Sequence, residues 1–149
     1  MNNVPIIRVT TKLLIPAILL FGLYVQFHGD FGPGGGFQAG VIFSSGFILY
    51  AIIFGVAKAR KVAPSWLTRS FLAIGVLLYS GVGVTSLILG GNFLDYNVLS
   101  DDPLSGQHLG ITLIELGVGI TVASSMITIF YTFAGQDTEN HKQPRSTTK

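Results

Sequence analysis

The sequence predicts an all-α integral membrane protein of four transmembrane helices, with the N and C termini cytoplasmic. Two observations carry that reading. Four apolar stretches, residues 13–27, 37–57, 70–89 and 109–133, divide the 149-residue chain. About 20 residues rising ~1.5 Å each cross a hydrocarbon layer of ~30 Å, and three of the four stretches reach that length. The basic residues, moreover, all fall on one side of such a topology. Arg8 and Lys12 precede the first stretch, Lys58, Arg60, Lys61 and Arg69 join the second to the third, and Lys142, Arg145 and Lys149 follow the fourth. The other two connections contain no Lys or Arg. Positively charged flanks stay in the cytosol, so both termini and the middle connection are expected there.

The first span is short, and Arg8 and Lys12 extend it by laying their stems along the helix and sending their charges to the interface. Its outer end is therefore expected below the membrane surface. No A-x-A-like site follows in His28-Gly29-Asp30-Phe31-Gly32-Pro33, and three more spans come after it, so the stretch reads as a span and not as a cleaved signal peptide.

The connection that follows turns sharply. Pro33 lacks a backbone donor, and Gly34, Gly35 and Gly36 before Phe37 can take positive φ angles closed to other residues. Two forms fit: a tight surface hairpin, or a re-entrant turn whose backbone is satisfied by protein or by a water-lined cavity. Gly34-x-Gly36-x-x-Ala39 loosely matches a dinucleotide fingerprint, but a membrane span stands where a strand should and no acidic residue lies ~20 positions later.

Small residues four apart, Gly40 with Ser44, Gly81 with Thr85 and Gly119 with Ala123, let membrane helices approach closely and predict a packed bundle or a larger assembly. The outer connection from Gly90 to Gln107 carries Asp95, Asp101 and Asp102 with no balancing cation and reads as a solvated loop, part of which packs through Phe93, Leu94 and Tyr96. Residues 1–133 make one membrane domain. Residues 134–149 form a polar cytoplasmic tail without Val, Ile or Leu, expected to be disordered or ordered by a partner.

Composition removes several function classes. With no cysteine there is no thiolate nucleophile and no Cys-based metal or iron–sulfur site, and no cofactor is expected. The net charge of +2 follows from topology and does not point to nucleic acid. Ser44 and Ser45 lie in a span, but no His or Lys stands in any span to activate them, so the chain is not read as an enzyme.

The candidate site residues centre on Glu115, the one formally charged residue inside a predicted span. An ionised carboxylate at such depth costs a few kcal/mol on insertion scales, so it must face protein or water and either find a partner or bind a proton. His108, Thr112, Glu115 and Gly119 share a helix face, a stripe along which a proton or cation can pass inward from a mouth at His108. The competing reading makes Glu115 a hydrogen-bond partner that sets helix register. His28 and His108 fall at outer helix ends and could in principle share a site with Asp30, each read either as a proton collector or as a helix-end hydrogen-bonding group. Two separated histidines and a loop aspartate make no recognisable metal-ligand motif.

The stretch from Leu20 to Gly46, with F-G-L-Y-V-Q-F-H-G and P-G-G-G-F-Q-A-G-V-I-F, closely resembles the MnhB family of subunits from the Mrp-type multisubunit Na⁺/H⁺ antiporters. His108-Leu109-Gly110-Ile111-Thr112 and Glu115-Leu116-Gly117-Val118-Gly119 look like that family's second signature, and the similarity covers roughly residues 13–133. Members often carry His, Ser and Gly where this chain has Asp30, Gly32 and Ala39. The resemblance implies a small non-catalytic subunit of a seven-subunit complex in a prokaryotic cell membrane. Such a complex exports Na⁺ in exchange for H⁺, and the partners implied are the other Mrp-type subunits and the lipid bilayer. Similar domains also occur in membrane-bound hydrogenases, so a membrane module of a hydrogenase-type respiratory complex is the alternative. In that case electron transfer belongs to other chains.

Overall fold

The computed structural model describes residues 5–29 and 34–140, with side chains to residue 135. Asp30, Pro33 and the tail beyond residue 140 lie outside the described residues.

Four helices are long and apolar enough to cross a membrane. Helix α1, Pro5–His28, continues through Pro16 and starts well before the expected residue 13, so Arg8 and Lys12 are part of the helix itself. Helix α2, Gly36–Phe54, ends at Gly55, whose φ of 97° turns the chain into a short helix α3, Val56–Val62, that hydropathy alone did not foresee. Pro64 then opens α4, Ser65–Ile88, its carbonyl accepting from the amides of Leu67 and Thr68. A 3₁₀ turn, Tyr96–Leu99, leads to α5, Pro103–Asn140.

Helix α5 is longer than the predicted 109–133 at both ends. Asp102 caps its start, accepting from the amide and hydroxyl of Ser105 at 3.1 and 2.8 Å. At the far end the helix runs through Asn140, so the first part of the predicted tail is ordered as helix. Asp95 bonds the amide of Asn97 in the 3₁₀ turn. Two of the three outer-loop carboxylates thus hold local backbone. As predicted, Phe93 and Tyr96 pack inward, against Gly83 of α4 and Gly110 of α5.

The spans stand in a row. Helix α2 packs between α1 and α5, and α4 packs on the other side of α5, so α1 and α4 are the edges. Gly40 meets the carbonyl of Gly119 and the side chain of Val122, which bears out the close approach expected of Gly40 and Gly119. The pair Gly81 and Thr85 behaves differently. Gly81 has open space beside it and Thr85 is exposed, its hydroxyl donating to the Gly81 carbonyl. Helix α4 instead approaches α5 through Gly75, beside Gly117 and Thr121, and through a hydrogen bond of 3.2 Å between the hydroxyls of Thr128 and Thr68. Four-residue spacing fixes which residues share a face; it does not say which face turns inward.

At the end bearing α3, Arg60 donates to the carbonyl of Tyr131 at 3.0 Å and sits over its ring, pinning α3 beneath the bundle. Along one side of the row, α1 and α4 flank an open groove of about 370 Å³.

Candidate functional site

Heights within the bundle place the glycine loop. The Thr68–Thr128 hydrogen bond sets a common level for α4 and α5. From it α4 rises ~30 Å to Ile88, whereas α5 rises only ~20 Å to Glu115, beside which Gly29 and Gly35 lie. These two glycines therefore stand roughly 10 Å short of the end of α4. Ile88 and Leu89 are exposed at that end and carry the apolar surface past them. The connection is accordingly entered and left below the end of α4.

Its backbone requires glycine. Gly35 has φ 128°, donates its amide to the Val25 carbonyl at 3.4 Å and accepts from Ala39 at 3.0 Å as α2 begins. It also lies against the carboxylate, since a β-carbon there would stand 3.3 Å from Glu115 Oε1. Gly29, across the hairpin, is closer: its β-carbon would fall 2.6 Å from Oε2 and 2.7 Å from Oε1. One at Gly36 would collide with the backbone carbonyl of Glu115. Gly29 and Gly35, one from each side of the connection, thus form a cradle for the Glu115 side chain, and Gly36 lies against its backbone.

The cradle joins two features that the sequence presents separately. Glu115 is half-buried, next to the start of α2, where the first amides of a helix have no helical acceptors and the helix dipole is positive. Negative charge is favoured by that position and disfavoured by the apolar surroundings.

Of the other predicted residues, Gly119 is buried on the same face, against Gln26 Oε1 and the Gly36 carbonyl. Thr112 and His108 continue the stripe toward the start of α5 and are exposed. His28, half-buried at the end of α1, stacks on Tyr24 with ring centroids 5.0 Å apart. Phe37 begins α2 and is exposed. Asp30 and Pro33 fall outside the described residues. Among the described residues no three His, Asp or Glu gather to hold a metal.

Two residues at this site were missed by sequence reasoning. Gly29 stands apart from the glycine run at 34–36 and gives no signal of its own in the sequence. Gln26 is only 9 % exposed, and the available signal was an amide side chain standing alone in an apolar span three positions before that glycine.

Outside the spans, burial pushes the Tyr96 phenol above its usual range, with the neighbouring Tyr79 adding to the effect. The hydrogen bonds from Ser105 hold the Asp102 carboxyl below the usual carboxylate range.

Comparison with known proteins adds the family. A family model described as "Domain related to MnhB subunit of Na+/H+ antiporter" matches residues 6–128. The Staphylococcus aureus proteins of strains Newman, COL and NCTC 8325, each described as "Putative antiporter subunit mnhB2", are 37% identical over 137 residues. That alignment covers 90% of this chain and 96% of each relative.

Proposed function

Since the chain belongs to the family of domains related to the MnhB subunit of Na⁺/H⁺ antiporters, we propose that it is a small non-catalytic subunit of a multisubunit antiporter that exports Na⁺ in exchange for H⁺. It is a multi-pass membrane protein and a transporter component rather than an enzyme. Its basic end, with both termini, faces the cytoplasm, and the recessed glycine loop opens outward.

Within the complex the chain supplies scaffold and one proton-responsive group, Glu115. The observation that carries this role is the cradle. A carboxylate held against Gly29 and Gly35 sits at the foot of a face left open through Thr112 and His108, so a proton arriving from outside meets an accepting group below the surface. Protonation and release change the charge at the start of α2. Past Glu115 the described residues lining the groove are Gln26, Thr68, Ser124 and apolar or small residues, none of which titrates near neutral pH. One carboxylate cannot complete a path across the bilayer, so the remaining route runs through companion subunits.

The test is Na⁺/H⁺ exchange in everted vesicles together with the amount of assembled complex. Glu115→Gln keeps the shape of the side chain and removes its exchangeable proton. It is expected to assemble normally while exchange falls or its pH optimum shifts, with Glu115→Asp retaining part of the activity. Wild-type exchange and pH dependence in Glu115→Gln would remove the residue from transport, and loss of the assembled complex would make it purely structural.

A further inference from the structure

We propose that the groove between α1 and α4 seats one membrane-spanning helix of a companion subunit, and that this helix hydrogen-bonds the side-chain amide of Gln26. The groove begins beside the Glu115 cradle, where Gln26 meets Gly119, and runs toward the α3–α4 turn at Val62 and Ala63. Along α5 it extends from Leu116 to Ile127, about 16 Å or three helical turns. Phe43 and Phe47 of α2 and Phe71 of α4 form its apolar walls. Helices α1 and α4, at the edges of the row, do not close over it.

The identity of the occupant follows from Gln26. Its side chain is only 9 % exposed and lines the groove, so what remains open of it faces the groove. An amide that faces hydrocarbon without a partner is costly. An acyl chain fills an apolar groove but brings neither donor nor acceptor to this depth. A helix that carries Asn, Gln, Ser or Thr at the level of Gln26 supplies both, and the small residues Gly22 and Ala123 beside it let the backbone come close. The relatives are described as antiporter subunits, which makes a companion membrane chain the natural source of such a helix.

The inference rests on the subunit reading, and one experiment separates the two. Benzoylphenylalanine at Phe71, in the groove wall, is photoactivated in native membranes. The complex is then purified through a tag on this chain, and the adduct is mapped by peptide mass spectrometry. The expected adduct lies in an apolar span of a companion chain, within a turn of an Asn, Gln, Ser or Thr. Gln26→Leu should lower its yield about threefold at equal membrane content of this chain, and Gln26→Asn should restore part of it. Adducts with phospholipid alone or with a second copy of this chain, no adduct while companions still co-purify, or a yield indifferent to Gln26→Leu would each overturn the inference and leave the subunit reading standing. Absence of any co-purifying membrane chain would overturn the subunit reading itself.

Discussion

Gly29 and Gly36 touch different parts of Glu115, and that difference makes the cradle testable at the level of single atoms. At Gly29 a β-carbon would stand 2.6 and 2.7 Å from the two carboxylate oxygens and 2.9 Å from the Gly35 α-carbon, where ordinary contact begins at 3.4 Å. Accommodating alanine there requires the carboxylate to retreat by about 0.8 Å, and overpacking on this scale costs about 1–3 kcal/mol. At Gly36 the obstacle is the backbone of Glu115, its carbonyl and its α-carbon, so α2 and α5 themselves must separate. Both Gly29→Ala and Gly36→Ala are therefore expected to destabilise, by about 2–12 °C in the melting of the detergent-purified chain if each kcal/mol is worth 2–4 °C in a domain of this size. The variants part company when Glu115→Ala is added. Shortening the side chain removes the oxygens that oppose Gly29→Ala and should restore part of its stability, the contact with the Gly35 α-carbon remaining, while Gly36→Ala should gain nothing because its obstacle is backbone throughout. Rescue of both variants to the same extent, or wild-type melting of Gly36→Ala alone, would refute the cradle geometry.

Three further outcomes are expected. Gly75→Ala, which drives a β-carbon against Thr121 Oγ1 and to within 2.7 Å of the Gly117 carbonyl, should destabilise by at least about 1 kcal/mol, whereas Gly81→Ala, with open space beside it, should be neutral or mildly stabilising in the same melting assay. Because Asp102 is held below the usual carboxylate range by Ser105, its capping contribution is fully present above about pH 4 and is lost as pH falls through the depressed folded value. Hydrogen exchange at the Ser105 amide should therefore lose protection below about pH 4 in the native chain and stay independent of pH-linked capping in Asp102→Asn, which caps without titrating; the same pH response in both would contradict the assignment. For topology, Lys58→Cys and Asp101→Cys, introduced singly into this cysteine-free chain, should react with an impermeant thiol reagent from opposite sides of the membrane. Labelling of both from outside intact cells would sink the proposed orientation.

The spans were legible because hydropathy is a local property, and α2 was placed to within a few residues at each end. The element boundaries that escaped were set by chemistry other than hydropathy. The start of α5 is fixed by Asp102 and Pro103, an N-cap followed by a residue suited to the first helical position, and the polar Ser105 and Gln107 after them masked that signal in an apolar window. Helix α3 lies between Gly55 and Pro64 and is held by Arg60 reaching Tyr131, a contact between distant parts of the chain. Gly81 and Thr85 read as a packing pair because spacing is local, but the inward face of α4 is chosen by what α5 offers opposite it, here Gly117 and Thr121.

The candidate site was half legible for the same reason. Glu115 and the glycine run each announce themselves, the first as a charge that hydrocarbon will not solvate and the second as backbone that no other residue permits. Their union depends on the lengths of the helices that bring them together. Helix α2 is 19 residues long and α4 is 24, so a hairpin aligned with its neighbours at the basic end falls short of them at the other. A longer α2 would carry Gly35 and Gly36 up to the level of Thr112, where no carboxylate faces them and where the turn would have only solvent to satisfy it. The shortness of that span is therefore what sets Gly35 below the end of α4, and that depth is what lets Gly35 and Gly29 seat the one acidic side chain that the spans contain among the described residues.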